Sequence, residues 1–406
     1  MNNQCRSCGH SNLEQVLSLG NTPLANALLT REQWGQPEHT YPLNLAFCPN
    51  CSLVQILETV APEVLFRDYL YFSSFSDTTL KHTKDIVSRM LNTRNLSTNS
   101  LVVEIASNDG YLLRYFEEKQ IPVLGIEPAR NIAKVAEENG IRTLCEFFSN
   151  TLAQQLKDTG KQADIVFANN VLAHVANLND VVTGIQTMLK ENGVAIIEVP
   201  YIKDMIDNCE FDTIYHEHLC YFSATALDQL FKRHDMVVNM IERIPIHGGS
   251  LRLFVTHLSE NNPNSIEEFL IEEAGWGVNN LAFYQNFTNK VNELRQRLLN
   301  LLQGLKGSGK SIAAYGAAAK GSTLLNYFGI GLETIDFVVD RSTYKQGHYM
   351  PGTHQPIYAP VKLLEEMPDY ILLLTWNFSE EILAQQNEYR KRGGKFIIPI
   401  PEVHVV

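Results

Sequence analysis

The sequence predicts an α/β protein made of a small zinc-binding domain, a central Rossmann-like domain and a second Rossmann-like domain at the carboxyl end. Two Cys-x-x-Cys pairs lie near the amino terminus, and such pairs are typical of zinc sites. From residue 101 onward, short apolar runs alternate with helical patterns, which favours parallel strands connected by helices. The same alternation starts again near residue 311. We therefore expect domains over residues 1–75, 76–258 and 259–406.

The composition is that of a globular protein and argues against several classes of partner. Hydrophobic residues make up 45% and charged residues 19% of the 406 positions, which is enough for more than one core. The net charge of −12 argues against a nucleic-acid partner, because positive side chains hold nucleic-acid phosphates. The first residues carry no apolar signal segment, and no run of about eighteen apolar residues occurs. We expect a cytoplasmic monomer that does not enter membranes.

The zinc prediction rests on Cys5, Cys8, Cys48 and Cys51. Each Cys-x-x-Cys pair turns two thiolates toward one tetrahedral ion, and two pairs fill all its positions. No position is left for a catalytic water, so we expect the zinc to be structural. Two disulfides are the alternative, but the absence of a secretion signal argues against them.

The stretch from Leu101 to Gly110, LVVEIASNDG, organises the central domain. Its apolar start predicts a buried strand that ends at Glu104, and a loop of small and polar residues then leads into a helix. The next predicted strand ends at Glu127. A carboxylate at that place receives the two hydroxyls of a ribose in Rossmann-like folds.

The chemistry of this loop favours a nucleoside without a pyrophosphate. Dinucleotide-binding loops need G-x-G-x-x-G, so that the backbone can approach the phosphates. This loop contains one glycine, and the carboxylates of Glu104 and Asp109 would repel a pyrophosphate. S-adenosylmethionine, which carries an amino group and no phosphate, suits such a loop. The alternative is an ordinary strand–loop–helix corner without a ligand.

Two amides mark the end of a later strand of the central domain. The run ADIVFANN predicts a strand that ends at Asn169 and Asn170, with His174 in the helix beyond it. Ligands of open α/β sheets bind at the carboxyl ends of the strands. We therefore expect these three side chains to meet Glu104 and Glu127 in one crevice.

The loop from Tyr215 to Ser223, YHEHLCYFS, has the side chains of a catalytic centre. His218 follows Glu217, and a histidine held by a carboxylate is a ready base at neutral pH because its reference pKa is about 6.5. Loops over the carboxyl edge of a sheet often carry general acids and bases. A metal site is a weak alternative, since adjacent ligands rarely reach one ion and H-E-x-x-H is absent.

The segment from Phe66 to Ser76 is dense in aromatic and hydroxyl side chains. Packing between domains and lining of a polar pocket are both compatible with this composition. The sequence leaves these two alternatives open.

One segment near the C-terminal domain matches the phosphate-loop motif in sequence alone. Residues 304–311, GLKGSGKS, match G-x-x-x-x-G-K-[ST], but such a loop must follow a strand and open a helix. Here a helical pattern precedes the motif and a strand follows it, so we predict a glycine-terminated helix end. The loop from Gly316 to Gly321 contains Lys320 and lies between a strand and a helix, which makes it the better phosphate site.

With these motifs in place, the chain resembles the sugar C-methyltransferases that act on nucleotide-linked 4-keto-deoxysugars. The resemblance covers nearly the whole length. It is carried by EIASNDG at 104–110, ANNVLAH at 168–174, YHEH at 215–218, HGGSLR at 247–252 and YGAAAKG at 315–321. It implies a central class I methyltransferase domain that binds S-adenosylmethionine, and a C-terminal domain that binds the nucleotide sugar.

The resemblance also implies a reaction. A base removes the proton on carbon 3, beside the ketone at carbon 4, and placed donors stabilise the enolate oxygen. The carbanion then takes the methyl group from the sulfonium. His218 is the expected base, with Tyr215 and Glu217 supporting it. The expected donors to the enolate are His174 and Tyr69 or Tyr71.

The remaining expected site residues divide between cofactor and substrate. The cofactor is expected to contact the acid at the end of the first strand, the loop after it (residues 106–110, called the glycine loop below), the residues after the second strand and the two amides. These residues are Glu104, Ala106, Ser107, Asn108, Gly110, Glu127, Pro128, Asn169 and Asn170. The nucleotide sugar is expected in a cleft between the central and last domains, at Tyr71, His247, Ser250, Arg252, Gly316 and Lys320.

Two other functions are compatible with parts of the sequence. An oxygen or nitrogen methyltransferase could use the same scaffold, but it would not need a base able to deprotonate carbon. An NAD-linked sugar-binding protein is the second alternative. The absence of G-x-G-x-x-G from both α/β domains argues against it.

Overall fold

The computed structural model describes residues 4–66, 72–246, 248–258 and 266–406. Its named strands form three sheets, of four, seven and six strands. This is the predicted mixed α/β architecture. Among the described helices, none is both long enough and apolar enough to cross a membrane.

The N-terminal sheet begins as an antiparallel meander. Its first strands are β1 (Glu14–Pro23), β2 (Thr40–Phe47) and β3 (Val54–Ile56), and the short helix α1 (Pro62–Phe66) follows. Strand β2 lies between the other two strands. Each Cys-x-x-Cys pair forms a tight turn outside the strands, in which the amide of Gly9 donates to the carbonyl of Cys5 and that of Ser52 to Cys48.

The central sheet alternates strands with helices, as predicted. Its first strands are β4 (Val102–Ile105), β5 (Val123–Ile126), β6 (Thr143–Leu144), β7 (Ala163–Asn169) and β8 (Leu189–Pro200). The helices among them are α2 (Asp77–Thr93), α3 (Arg114–Glu117), α4 (Arg130–Glu138), α5 (Asn150–Asp158) and α6 (Leu178–Met188). The next elements are α7 (Ile202–Asp207), β9 (Cys220–Tyr221), α8 (Ala224–Lys232), β10 (Met236–Ile244) and β11 (Ser250–His257).

The strand order of this sheet is β10-β11-β8-β7-β4-β5-β6. Strand β11 runs antiparallel to both of its neighbours, and the paired strands from β8 to β6 are parallel. The order turns back at β4, which lies between β5 and β7. A crevice therefore opens at the carboxyl end of β4, where open α/β sheets bind their ligands.

Strand β9 does not belong to the central sheet. It pairs antiparallel with β3, so that Val54 lies opposite Tyr221 and Gln55 opposite Cys220. The loop predicted to be catalytic therefore ends as the fourth strand of the N-terminal sheet. Residues of two predicted domains share one sheet.

A helical segment connects the central domain to the last one. It consists of α9 (Glu267–Trp276) and the long helix α10 (Leu281–Gly307). The buried residues of α10 recur every three or four positions, which is the spacing of a helix with one apolar face. This face packs on the N-terminal sheet, where Tyr284 meets Phe47 with ring centroids 4.8 Å apart.

The C-terminal domain has a second parallel sheet. Its strands are β12 (Ile312–Tyr315), β13 (Val338–Val339), β14 (Ile357–Tyr358), β15 (Tyr370–Leu373), β16 (Lys395–Ile398) and β17 (His404–Val405). Its helices are α11 (Ala319–Phe328), α12 (Lys362–Glu366), α13 (Ser379–Gln385) and α14 (Asn387–Lys391). Strand β12 lies between β13 and β15, and the antiparallel strand β17 closes one edge.

The phosphate-loop motif falls at the end of α10 and before β12. Ser308 caps that helix, Lys310 pairs with Asp369 at 2.9 Å and the amide of Ser311 donates to the same carboxylate. No helix opens after the motif to direct its amides at a phosphate. The predicted helix end is confirmed.

Candidate active site

The structure brings the predicted cofactor residues to one edge of the central sheet. Glu104 lies opposite Gly125 in the parallel pairing of β4 with β5, and Glu127 directly follows β5. On the other side of β4, strand β7 ends at Asn169. All three side chains therefore lie at the carboxyl ends of neighbouring strands.

Glu127 holds the glycine loop to the start of the next helix. One carboxylate oxygen accepts the amide of Asn108 over 2.9 Å, and the other accepts the amide of Ala129 over 2.8 Å. Burial raises the pKa of Glu127, and these two hydrogen bonds oppose that rise. A carboxylate has about four acceptor positions, so two remain for ribose hydroxyls.

The glycine loop has an unusual backbone. Ala106 and Asn108 adopt φ angles of 52° and 49°, and Gly110 adopts 78°. A Cβ atom at Gly110 would lie 2.7 Å from Cγ1 of Ile141. The close contact and the left-handed conformation together explain why this position is glycine.

Several buried side-chain oxygens around this loop are unsatisfied hydrogen-bond acceptors. They have no hydrogen-bond partner among the described residues and belong to Glu104 (Oε2), Ser107 (Oγ), Asp109 (Oδ1) and Asn169 (Oδ1). Buried acceptors without a partner are costly, and they often mark the place of a ligand or an ion. The ammonium group and the hydroxyls of S-adenosylmethionine are donors of the required kind.

The charge of the crevice fits a cationic ligand. Burial raises the pKa of Glu104 well above its usual range, and the nearby carboxylates of Asp109 and Glu127 raise it further. A positive charge in the crevice would relieve this repulsion and favour the ionised carboxylates. The residues present therefore fit S-adenosylmethionine.

Part of the aromatic segment covers the glycine loop. The amide of Ser73 donates to Asn108 over 2.9 Å, and that of Ser74 to Asp109 over 3.3 Å. The described part of this segment therefore lies against the cofactor loop. Tyr69 and Tyr71 lie outside the described residues, as does His247.

The loop after α7 presents a tyrosine–histidine pair. The hydroxyl of Tyr215 lies 2.8 Å from Nε2 of His218, and Nδ1 of the same ring lies 2.9 Å from the carbonyl oxygen of Thr213. A carbonyl can only accept, so Nδ1 carries the proton when the ring is neutral. Nε2 then offers a lone pair, which accepts the hydrogen of Tyr215.

His174 packs on this pair from the end of β7. Its ring centroid lies 4.7 Å from that of His218, at an interplanar angle of 78°. Burial lowers the pKa of His174 to about 4, against a hydrogen bond to the backbone of Glu217. Nδ1 is buried and has no hydrogen-bond partner among the described residues. We therefore expect a ring that is neutral at pH 7 and whose Nδ1 is available to a ligand.

The N-terminal domain supports this loop through residues that sequence reasoning missed. Asn26 donates to the carboxylate of Glu217 over 2.7 Å, and Nε2 of His216 lies 3.2 Å from the carbonyl oxygen of Pro42. The pairing of β9 with β3 adds backbone hydrogen bonds next to them. The density of polar side chains in the loop was a signal of function, but it did not reveal these partners.

The predicted substrate residues on β11 are packed into the sheet. Nε of Arg252 lies 2.7 Å from Glu198, which also contacts His82 at 2.9 Å. Burial raises the pKa of Glu198, but His82 and Arg252 outweigh it and the net shift is downward. Ser250 donates to the carbonyl of Ile246. Arg252 is thus already paired with a carboxylate at the carboxyl half of β8.

The second glycine loop follows β12. Gly316 has a φ angle of 99°, and a Cβ atom there would lie 2.5 Å from Thr375. Asp340 accepts the amide of Ala317 over 2.8 Å. The ammonium of Lys320 lies 3.9 Å from Glu210 of the central domain. Lys320 therefore lies where the central and last domains meet.

The four clustered cysteines fit a zinc ion. Their Sγ atoms all lie within 4.8 Å of one another, with 3.5 Å between Cys5 and Cys51 and 3.6 Å between Cys8 and Cys48. Zinc–sulfur bonds of about 2.3 Å at tetrahedral angles separate the sulfurs by about 3.8 Å. The observed spacing is close to that value.

Three family models match successive parts of the chain. The one described as "Putative zinc binding domain" matches residues 5–66, "Methyltransferase domain" matches 77–239, and "C-methyltransferase C-terminal domain" matches 245–401. The curated C-methyltransferase NovU of Streptomyces niveus is 34% identical over 405 residues, which cover 99% of this chain and 96% of that protein. The chain belongs to the C-methyltransferase family.

Solved structures also align with part of this C-methyltransferase. The PH0226 protein from Pyrococcus horikoshii OT3 aligns with 49% of the chain and 96% of its own length, at 14% identity and a TM-score of 0.38. The magnesium protoporphyrin IX methyltransferase of Synechocystis PCC 6803 with bound S-adenosylmethionine aligns with 48% and 88%, at 11% identity and a TM-score of 0.35.

Family membership confirms the expected class of enzyme and its cofactors. A C-methyltransferase with a methyltransferase domain and a zinc-binding domain uses S-adenosylmethionine and acts on a small molecule. Neither the NAD-linked alternative nor oxygen or nitrogen methylation is supported. The roles expected for individual residues stay predictions.

Proposed function

We propose that this C-methyltransferase methylates carbon 3 of a nucleotide-linked 4-keto-deoxysugar. The observation that carries the proposal is the Tyr215–His218 pair, whose ring neighbour His174 follows the same strand, β7, that ends at Asn169. This contact supports a base near the sheet edge that fits the methyl donor. Carbon methylation needs such a base, because the carbon becomes a nucleophile only after losing its proton.

The position beside a ketone makes the required deprotonation feasible. The proton on carbon 3 is acidified by the carbonyl at carbon 4, since the resulting charge moves onto oxygen. Nε2 of His218 carries no proton in the neutral ring, so it can take this one directly or through the hydroxyl of Tyr215. Thr213 then stabilises the imidazolium, because its carbonyl accepts the other N–H.

The enolate oxygen requires a hydrogen-bond donor. Burial lowers the pKa of His174 to about 4, so its ring is neutral at pH 7 and donates from one of its two nitrogens. His174 and Tyr69 or Tyr71 stay the predicted donors.

When bound, S-adenosylmethionine supplies an electrophilic methyl group on a sulfonium. The residues proposed to hold it are those of the glycine loop with Glu127, Pro128, Asn169 and Asn170. Their contribution is chiefly position, because a sulfonium methyl and an enolate carbon react without covalent help once they are aligned.

The nucleotide is proposed to lie between the central and C-terminal domains. Lys320 and Gly316 belong to a glycine loop between a strand and a helix, a place that suits a phosphate, and Lys320 contacts the central domain through Glu210. Ser250, Arg252 and His247 complete the proposed substrate side. We also propose that the monomer is the active unit.

Hydrogen exchange tests the proposed base before any methyl transfer. The enzyme receives a 4-keto nucleotide sugar and S-adenosylhomocysteine in deuterated water, and mass spectrometry follows deuterium at carbon 3. The wild type should exchange this proton. His218→Asn should lose exchange and methylation by about 100- to 10,000-fold while still binding the cofactor, whereas His404→Asn, an exposed histidine, should behave as the wild type.

Three results would change the proposal. A His218→Asn enzyme within a few-fold of the wild type removes His218 as the base. Exchange that survives in His218→Asn and vanishes in Tyr215→Phe assigns the base to Tyr215. A wild-type enzyme that adds no methyl group to any of a panel of 4-keto nucleotide sugars refutes the substrate class.

A further inference from the structure

The turn that precedes the tyrosine–histidine pair is held by the C-terminal domain. This 3₁₀ turn, Phe211–Thr213, lies against α11 and against a second 3₁₀ turn that begins at Trp376. The indole N–H of Trp376 donates to Oδ2 of Asp212 over 2.7 Å. The hydroxyl of Thr323 donates to the carbonyl of Ile214 over 3.3 Å. The C-terminal domain thus contacts both sides of Thr213.

Asp212 is a buried carboxylate with few partners. Its solvent exposure is 0%, and Oδ1 has no hydrogen-bond partner among the described residues. Among the described residues, Trp376 is therefore the one whose side chain donates a hydrogen bond to the carboxylate of Asp212. The ammonium of Lys320, which packs over the Trp376 ring at 4.8 Å, supplies a nearby positive charge. Burial raises the pKa of Asp212, and Lys320 and the bond from Trp376 oppose that rise. A buried carboxylate with so few donors depends strongly on each of them.

The neighbour of Asp212 fixes the state of the proposed base. The carbonyl of Thr213 accepts the N–H at Nδ1 of His218, and the hydroxyl of Thr213 is tied to the carbonyl of Glu210 over 2.8 Å. Which nitrogen of a histidine carries the proton depends on the hydrogen bond that the other nitrogen makes. The orientation of this turn therefore decides whether Nε2 offers a lone pair to Tyr215.

We propose that Trp376 is a positioning residue for His218. It holds Asp212, and through the 3₁₀ turn it keeps the carbonyl of Thr213 on Nδ1. The C-terminal domain would then prepare the base as well as bind substrate. This inference rests on the proposed role of His218 in deprotonating carbon 3.

Removal of the indole N–H should release the turn. In Trp376→Phe the ring volume is largely kept, but Asp212 loses its donor and must find another. The carbonyl of Thr213 then moves off Nδ1, and the His218 ring can carry its proton at Nε2 instead. A ring in that state cannot accept a proton at Nε2, from Tyr215 or from the substrate. Deprotonation of carbon 3 would then be lost without any change in the cofactor loop.

Nitrogen NMR of the histidine rings measures this state directly. The full-length protein is labelled with ¹⁵N-histidine, and long-range proton–nitrogen spectra distinguish the protonated from the bare nitrogen in each of its 12 histidines. His218→Asn identifies the signal of His218. The wild type should show a protonated Nδ1, and Trp376→Phe should lose that pattern. Trp34→Phe is the matched control, because it removes an indole that packs near Tyr349 and His354.

Kinetics provide a second measurement. Trp376→Phe should lower kcat for exchange at carbon 3 by about tenfold to 100-fold and leave KM within about twofold. Thr323→Val removes the other contact to the same turn and should shift the His218 signal in the same direction. It also serves as the test variant if Trp376→Phe does not fold.

An unchanged His218 ring in the folded Trp376→Phe protein, or in Thr323→Val where that protein replaces it, overturns the inference. An equal change in Trp34→Phe also overturns it, because the effect would then be one of general packing. A failure of the proposed function looks different. In that case no 4-keto nucleotide sugar exchanges its proton even with the wild type, while the ring signal still reports whether Trp376 positions His218.

Discussion

The carboxylate of Glu127 accepts the backbone amide of Asn108 over 2.9 Å. In the C-terminal domain, Asp340 accepts the amide of Ala317 over 2.8 Å. Both acids follow the second strand of a parallel pair, and both amides lie in the loop after the first strand. The two Rossmann-like domains thus close their glycine loops by the same contact.

This relationship gives a prediction for cofactor binding. In Glu127→Gln one of the two amides, of Asn108 or Ala129, faces an NH₂ group instead of an acceptor, and the ribose loses a charged partner. A hydrogen bond to a charged group is worth about 1.5–3 kcal/mol, so calorimetry should show a loss of affinity for S-adenosylmethionine of about tenfold to 100-fold. Asp340→Asn makes the same change in the other loop and should leave this affinity unchanged. Equal affinities in both variants would contradict the assignment.

A pair of glycines separates backbone strain from crowding. Gly110 and Gly309 have φ angles of 78° and 74°, but a Cβ atom at Gly110 would meet Ile141, while nothing lies within 4 Å at Gly309. Gly110→Ala should therefore destabilise the protein by about 1–3 kcal/mol more than Gly309→Ala, which is the usual cost of overpacking. Urea denaturation of the two variants measures the difference. Equal midpoints would mean that Ile141 moves aside freely.

The buried His174 predicts a dependence of stability on pH. Its pKa falls from 6.5 to about 4 on folding, so the unfolded chain binds a proton at a higher pH than the folded chain. The contribution of the neutral ring is therefore present above pH 6.5 and is lost as the pH falls toward 4. Between pH 7 and pH 5 the wild type should lose about 2 kcal/mol more of its unfolding free energy than His174→Gln. Parallel curves for the two proteins would exclude the burial of this ring.

Zinc removal should act on the proposed catalytic loop. The amide of Ile56 donates to the carbonyl of Leu219 over 3.0 Å. Strand β3 therefore connects the cysteine cluster to the proposed catalytic loop, and loss of zinc should loosen both. Zinc binding in comparable sites is worth on the order of 10–16 kcal/mol. Chelation, or Cys48→Ser, should therefore speed amide exchange in β3 and β9 by more than about 100-fold.

Strand β16, which lies between β15 and β17 in the C-terminal sheet, is the internal control for this measurement and should keep its protection. Metal analysis should give one zinc per chain in the wild type and none in Cys48→Ser. Unchanged exchange in β9 after complete loss of zinc would separate the metal from the loop.

Local patterns in the sequence were sufficient for much of this structure. The apolar run before Glu104 and the run before Glu127 predicted neighbouring parallel strands, and their pairing places both acids at one edge. The order of helix and strand around Lys310 was enough to dismiss the phosphate loop. In each case the signal lies within a few consecutive residues, where periodicity and turn chemistry act.

Contacts between distant segments could not be predicted in this way. The bond from Trp376 to Asp212 joins residues far apart in the chain, and neither neighbourhood has a pattern that indicates it. Asn26, which supports Glu217, lies in an ordinary turn of the N-terminal domain. Strand β9 has two residues, too few to show any periodicity. Such contacts depend on how whole domains pack, which is a property of the assembled surfaces.

The pairing of Val54 with Tyr221 has a consequence for synthesis on the ribosome. Strand β3 is made early, but its partner β9 emerges only after most of the central domain, about ten to thirty seconds later at usual rates of translation. During that interval β3 has an open edge, and open edges promote aggregation. Early binding of zinc by the nascent chain would stabilise the fold of the first three strands until β9 is synthesised. The supply of zinc during translation should therefore influence the yield of folded enzyme.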